Sequence, residues 1–478
     1  MEQDTLILHS PLFEEANFKK QLERIAAATE TAQGIVDYTT AHDDEVLRSI
    51  DVVEQFLRKK HRLCYGGQAI NAHLPKRHKI YDPQYAIPDY DFFTPNQDDD
   101  IRVLSKMLRK AGFEEISARE GMHEGTIKIY VNYIPVADMT AIEPKLYQLL
   151  SEREFRSDGI SYMDANTLRM LMYLELSRPR GEVTRWPKVY ERLILLNKYA
   201  PVDRSICKRD VQKGVLSSNE VNAIMHYCIK EKRIFAGADL TGFYEAAFTG
   251  KKKAKWLMYT KKPIYIYTSD LERDVTHFRY ELHHLEDIEK RGERSEKGEG
   301  GERGERSERG ERGERSALRV HRIQSMGNNL VPTMVVFTRD TYPAFVLISQ
   351  DACHSYYNIP LKYGNTLKIA TLDTLITLYF SLALLKYKFM DLGSLECLAQ
   401  ELVEISYRAR ETPERFPFQF ISLECSGHQR RLASLIREKV QRFDTRRKKK
   451  LHDLIAKESP SKRSTARNQK WEGMFFEK

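Results

Sequence analysis

This sequence has no long hydrophobic run. Its longest uncharged apolar stretch, TLITLYFSLALL at 374–385, lies between Asp373 and Lys386 and falls short of the roughly 20 residues that a membrane helix needs. It is expected to be a buried core helix, and no membrane association is expected. The opening MEQDTLILHSPLFEE contains no apolar signal segment, so secretion is not expected either. Cysteine is sparse. The six, at 64, 207, 228, 353, 397 and 425, form no C-x-x-C pair and no His-rich spacing. That argues against a structural zinc site and against a disulfide framework, and favours a reducing compartment such as cytosol. Net positive charge is missing from most of the chain. The total is +9, yet residues 429–478 hold sixteen Lys or Arg against six Asp or Glu, leaving the other 428 residues at about −1.

What is present describes a globular protein: 478 residues, 41% hydrophobic and 10% aromatic, enough for two or three domains. The basic tail at 429–478, with RRKKK at 446–450 and SKRSTARNQK at 461–470, reads equally as a footprint for phosphate backbones or as a solubilising or localisation tail. Residues 290–316 repeat Gly/Ser-Glu-Arg, with eight basic and eight acidic residues from 291 to 316. Such a segment has nothing to bury and is expected to be a disordered insertion in a surface loop.

Residues 13–59 read as two helices, the second with Val46, Ile50, Val53 and Leu57 at helical spacing. A short strand near Arg62 to Tyr65 then meets Gly66-Gly67, and QAINAHL looks helical. Ile87 to Phe93 reads as a strand, the stretch from Asp98 to Gly112 as a helix, and GFEEISARE, TIKIYVNYI and PVADMTAI as successive strands. Residues 143–198 return to helix, and a second α/β domain is expected over 205–425, with strands at 262–270 and 333–349, the latter a hairpin about Asp340 to Pro343.

Asp89 and Asp91 in IPDYDFFTP project to one face of a strand. Two like charges so placed repel unless a cation lies between them, and hard oxygens suit a divalent ion. Asp138, after the strand-like run Ile127 to Ile134, offers a third carboxylate. Three carboxylates holding two Mg²⁺ form the arrangement that activates a hydroxyl and neutralises leaving pyrophosphate. A Gly66-Gly67 turn opening a helix lets backbone amides approach phosphates with no Cβ in the way. Each piece alone has a plainer reading, as surface acids or a turn; their order and spacing together point to phosphoryl transfer.

That order resembles the nucleotidyltransferase superfamily typified by DNA polymerase beta. LCYGGQAINAHL with IPDYDFFTPN more specifically resembles the poly(A) polymerase catalytic subunits of large nucleocytoplasmic DNA viruses, the likeness covering residues 60–200. The resemblance implies an α/β (α+β) fold: an N-terminal helical region at 1–59, a polymerase-beta-like nucleotidyltransferase domain with helical flanks at 60–200, and a second, degenerate nucleotidyltransferase-like half at 205–425. RIFAGADLTGF at 233–243 is its candidate remnant of the glycine turn. It further implies Asp89, Asp91 and Asp138 as ligands of Mg²⁺ or Mn²⁺, and Gly66 and Gly67 as binders of the ATP phosphates. The superfamily usually places Ser second in the glycine pair; here Gly67 would act through backbone, with Gln68 as an extra contact. Arg169, Arg178 and Lys188 are candidate contacts to nucleotide and primer. The implied activity is template-independent addition of AMP to RNA 3′ ends. The alternatives are a CCA- or U-adding enzyme and an inactive RNA-binding subunit. A homodimer or a processivity partner, and the cytoplasm of an infected cell or the virus particle, complete what the resemblance implies.

Overall fold

Helix formation starts where the apolar spacing places it. The computed structural model describes residues 15–202, 215–237, 239–249, 263–298, 317–327, 330–340, 342–386 and 392–457. After α1 (Glu15–Ala41), α2 (Asp44–Lys60) is capped by Asp43, whose side chain accepts from the Val46 amide. Val46, Ile50, Val53 and Leu57 are all buried on its inner face. The chain continues through β1 (Leu63–Tyr65), α3 (Gly66–His73), β2 (Tyr90–Thr94), α4 (Gln97–Lys110), β3 (Ile116–Glu120), β4 (Thr126–Val131), β5 (Ile134–Ala141), α5 (Pro144–Ser151), β6 (Phe155–Ser157), β7 (Ile160–Tyr162), α6 (Ala165–Leu176) and α7 (Trp186–Tyr199). These strands form one sheet in the order β3-β4-β5-β2-β1-β7-β6. The β2–β5 and β1–β7 pairs are parallel; the rest are antiparallel.

The second half is α8 (Ser218–Lys230), β8 (Ile234–Phe235), α9 (Leu240–Thr249), β9 (Ile264–Thr268), α10 (Leu271–Gly298), β10 (Arg319–Ile323), β11 (Met334–Arg339), β12 (Tyr342–Ser349), β13 (His354–Pro360), β14 (Thr366–Ala370), α11 (Leu372–Leu384), α12 (Leu392–Glu411), β15 (Cys425–Ser426) and α13 (Leu432–Lys457). Its sheet runs β10-β11-β12-β9-β8-β14-β13-β15. With β15 set aside, this is the first sheet over again, strand for strand and with the same parallel and antiparallel pairs.

A polar clasp repeats with the topology. In each half a helix ends at a left-handed residue, His61 (φ 50°) or Lys232 (φ 54°), directly before an arginine that leads into the strand. Arg62 donates to both carboxylate oxygens of Asp100 at 2.5 and 3.0 Å, and Arg233 to both of Asp274 at 2.8 Å. Thr94 and Thr268 add hydroxyl bonds to the same acids at 2.5 and 2.6 Å. Both acids are fully buried. Only such paired, charge-assisted bonding makes a buried carboxylate tolerable.

The halves meet where α6 packs on α11. Every residue of α11 is buried, as the apolar run predicts. Ion pairs Arg153–Glu396 and Lys386–Glu152, at 2.6 and 2.5 Å, lie across the same seam. Among the described residues no helix is long and apolar enough to cross a membrane.

Three sequence expectations need correction. Cys353 and Cys425 form a disulfide across 72 residues, because β13 and β15 pair there; local cysteine spacing carries no trace of this, and the case for a reducing compartment loses that premise. Residues 290–298 of the Gly-Glu-Arg segment continue α10, their Glu, Arg and Lys being good helix formers, while 299–316 lie outside the described residues. The strand read from Ile87 starts only at Tyr90, Pro88 having no N–H to give a ladder. Of the basic tail, RRKKK falls within α13; SKRSTARNQK lies outside the described residues.

Candidate active site

Strand register builds the site. Asp91 on β2 is paired with Tyr65 on β1 and with Asp138 on β5. One residue beyond Tyr65, Gly66 turns the chain into α3 with φ +70°, and a Cβ there would lie 2.5 Å from Asp91 Oδ2. Any other residue would therefore be both strained and in collision with the carboxylate. At Gly67 a Cβ would collide with the Tyr81 hydroxyl. Gly66 of the glycine turn and Asp91, about twenty-five residues apart in sequence, are thus packed against each other.

Asp138 Oδ2 accepts from Lys128 Nζ at 2.6 Å, and its Oδ1 is buried with no partner. Lys128 lies on β4, opposite Asp138 in register. Burial pushes the Asp91 carboxyl up to about 7, and the charges of Asp89 and Asp138 push the same way against Lys128 and Arg185. The Asp89 carboxyl is also raised, by burial and then by Asp138, although the residue itself remains exposed just ahead of β2. Burial pulls the Lys128 ammonium down, but Asp138 and Asp89 more than restore it. Carboxylates crowded into raised values, with one buried lone pair unsatisfied, are a donor set of the hard-oxygen kind that a divalent ion satisfies. Among the described residues no trio of acids, His or Cys closes to full ligating geometry.

The remaining candidates separate. Gln68 follows in the first turn of α3, half-buried. Lys188 on α7 is exposed and close enough to pull the Asp89 carboxyl down. Arg169 instead has its guanidinium buried between α6 and α7, donating to Asn197 and Asn166 side chains and to the Ala200 carbonyl. Arg178 points to the second half, in a cavity it shares with Tyr267, His354 and Ser381; burial there draws it down to about 10. Neither is brought to the acids. Sequence reading missed Lys128, whose only signal is a lysine amid the apolar alternation of TIKIYV, and Arg185, which has none.

By register, Tyr265 and Val346 stand in the second half where Asp91 and Asp138 stand in the first. The duplicated sheet repeats the clasp but not the carboxylates.

Residues 51–182 match the family described as the poly(A) polymerase catalytic subunit. Two curated relatives carry the name "Putative poly(A) polymerase catalytic subunit". The one from Acanthamoeba polyphaga mimivirus is 24% identical over 226 residues, 45% of this chain and 38% of that protein. The one from African swine fever virus is 26% identical over 174 residues, 36% of this chain and 37% of that protein. The chain thus spans under two fifths of the length of these relatives. The crystal structure of the Megavirus polyadenylate synthase superposes with a TM-score of 0.66 at 14% identity, over 96% of this chain and 90% of that one. Residues 51–182, which hold the glycine turn and all three acids, thus match the poly(A) polymerase catalytic subunit family, and the chain shares the fold of the Megavirus polyadenylate synthase.

Proposed function

We propose that this chain is a poly(A) polymerase that extends RNA 3′ ends with AMP from ATP, releasing pyrophosphate. The observation that carries the reading is the contact of Gly66 with Asp91 while Asp91 pairs with Asp138: a phosphate-admitting turn against a carboxylate cluster. Asp89, Asp91 and Asp138 would hold Mg²⁺ or Mn²⁺, which when bound lowers the pKa of a hydroxyl and neutralises charge on the leaving phosphates. Gly66 and Gly67 present backbone N–H groups at the N-terminus of α3. Gln68 adds a contact in the same turn. Lys128 orients the Asp138 carboxylate through its hydrogen bond, and Lys188 brings positive charge to the rim. In the transfer, the 3′-oxygen forms a bond to the α-phosphorus as the bond to pyrophosphate breaks.

The second half, with Tyr265 and Val346 in place of acids, takes a structural or RNA-guiding part, and α13 extends a basic face to the RNA. The relatives' designation as catalytic subunits supports a partner subunit for this chain, and their viral sources support the cytoplasm of an infected cell as its place.

The test is primer extension on an end-labelled RNA with Mg²⁺ or Mn²⁺ and each NTP separately. A ladder with ATP alone, absent in Asp89→Ala, is expected. Full activity in Asp89→Ala would remove the assignment, and extension with another nucleotide would keep the site and change the enzyme.

A further inference from the structure

The acids and Gly66 account for one side of the glycine turn; the other side has its own chemistry. Above Gly67 sits the Tyr81 hydroxyl, and a Cβ on Gly67 would lie 3.2 Å from Arg192 Nη1. Arg192, on α7, donates from Nη2 to that hydroxyl at 2.8 Å. Its guanidinium stands 5.5 Å from the centre of the Tyr81 ring. Among the described residues no carboxylate lies within ion-pair distance of Arg192, although the half-buried Glu175 is near enough to feel its charge; its hydrogen-bond acceptor is a neutral phenol. Tyr81 itself belongs to a stretch, residues 79–89, with no helix or strand.

We propose that Arg192 binds the β- and γ-phosphates of the incoming nucleoside triphosphate, and that the Tyr81 hydroxyl occupies the place of a phosphate oxygen until the nucleotide displaces it. The inference rests on the nucleotidyl-transfer reading of the site. The reacting α-phosphate must lie beside the acids, of which Asp91 packs against Gly66. Gly67 is the next residue away from them, so the phosphates beyond the reacting one fall over Gly67 and in front of Arg192. There the guanidinium fork stands beside the first turn of α3, its Nη1 3.2 Å from where a Gly67 Cβ would lie. A phosphate oxygen suits that spot better than a phenol, since charge-assisted bonds are roughly twice as strong as neutral ones and the fork matches phosphate geometry. The bare Cα of Gly67 leaves room for the oxygen that a side chain would exclude. Because 79–89 is not tied into a sheet, Tyr81 can leave without breaking a ladder.

The full chain is titrated calorimetrically with inorganic tripolyphosphate, ATP and AMP, with fold monitored by far-UV circular dichroism. Arg192→Ala is expected to weaken tripolyphosphate and ATP by about 10- to 100-fold and leave AMP unchanged. Tyr81→Phe, which keeps the ring and removes the competing acceptor, is expected to tighten tripolyphosphate by about 2- to 10-fold. Arg192→Lys should fall between wild type and Arg192→Ala. A folded Arg192→Ala with an unaltered ATP-to-AMP affinity ratio overturns the proposal. If Arg192→Ala does not fold, wild-type affinities in both Arg192→Lys and Tyr81→Phe overturn it. Wild type that extends RNA while Arg192→Ala binds tripolyphosphate equally well sinks this inference alone. Wild type that neither binds ATP nor extends RNA sinks the proposed function with it.

Discussion

Replacing Asp91 with Asn should stabilise the metal-free protein while abolishing its chemistry. Asp91 titrates near 7 in the fold, against about 3.9 in an unfolded chain. Between those values the folded state keeps a proton that the unfolded state has released. The unfolded state binds fewer protons, so stability falls as pH rises through the window. Three pH units at 1.36 kcal/mol each come to about 4 kcal/mol lost by pH 8, an upper figure because Asp89 and Asp138 share the repulsion. The Asn side chain has nearly the same shape and never acquires the charge. In chelator at pH 8, Asp91→Asn should therefore be more stable than wild type by about 2–4 kcal/mol, and at pH 4 the two should coincide. Urea denaturation at both pH values measures this. Mn²⁺ added at pH 8 should raise the wild-type midpoint and leave the variant's where it was. Equal midpoints at pH 8, or a variant less stable there than wild type, would refute the reasoning that burial, with Asp89 and Asp138 beside it, penalises the Asp91 charge. Stability given up at a functional site and recovered by mutation at the expense of activity is a general trade.

Gly66→Ala meets a left-handed φ and the Asp91 carboxylate at 2.5 Å; it should lose about 1–3 kcal/mol and primer extension together, read by denaturation and gel. Arg233→Ala leaves the fully buried Asp274 without its guanidinium and should cost about 3–5 kcal/mol; Arg62→Ala should cost less, because Lys60 stays 3.8 Å from Asp100. Extension per folded molecule should survive in Arg233→Ala, whose clasp serves the half without acids; a selective loss of activity there at full stability would contradict the division of labour between the halves.

Much of the site was legible because its signals are local. A strand was read through Asp91, although β2 begins only after Asp89; two glycines marked a turn, and helical spacing marked α2. The apolar run at 374–385 announced a core helix, since all thirteen residues of α11 are buried. The Asp340 turn was also readable, and it does link β11 to β12 with Asp340 at φ 57°. What failed was whatever depends on pairing between distant segments. The Cys353–Cys425 bridge exists because two strands meet, and Arg169 and Arg178 are ordinary exposed-looking cations until helix packing buries them.

The sequence by itself determined the chemical parts: the three carboxylates, the glycine pair and the basic tail, because residue type and short-range spacing encode them. Only the tertiary structure decided that Asp91 lies opposite Asp138, that Lys128 pairs with Asp138, and that Arg192 and Tyr81 stand over Gly67. It alone shows the second half repeating the strand order and the Arg–Asp–Thr clasp of the first while placing Tyr265 and Val346 where the acids would be. The reason is physical. Sheet register is set by long-range hydrogen bonding and core burial, and neither has a signature in any short window of residues.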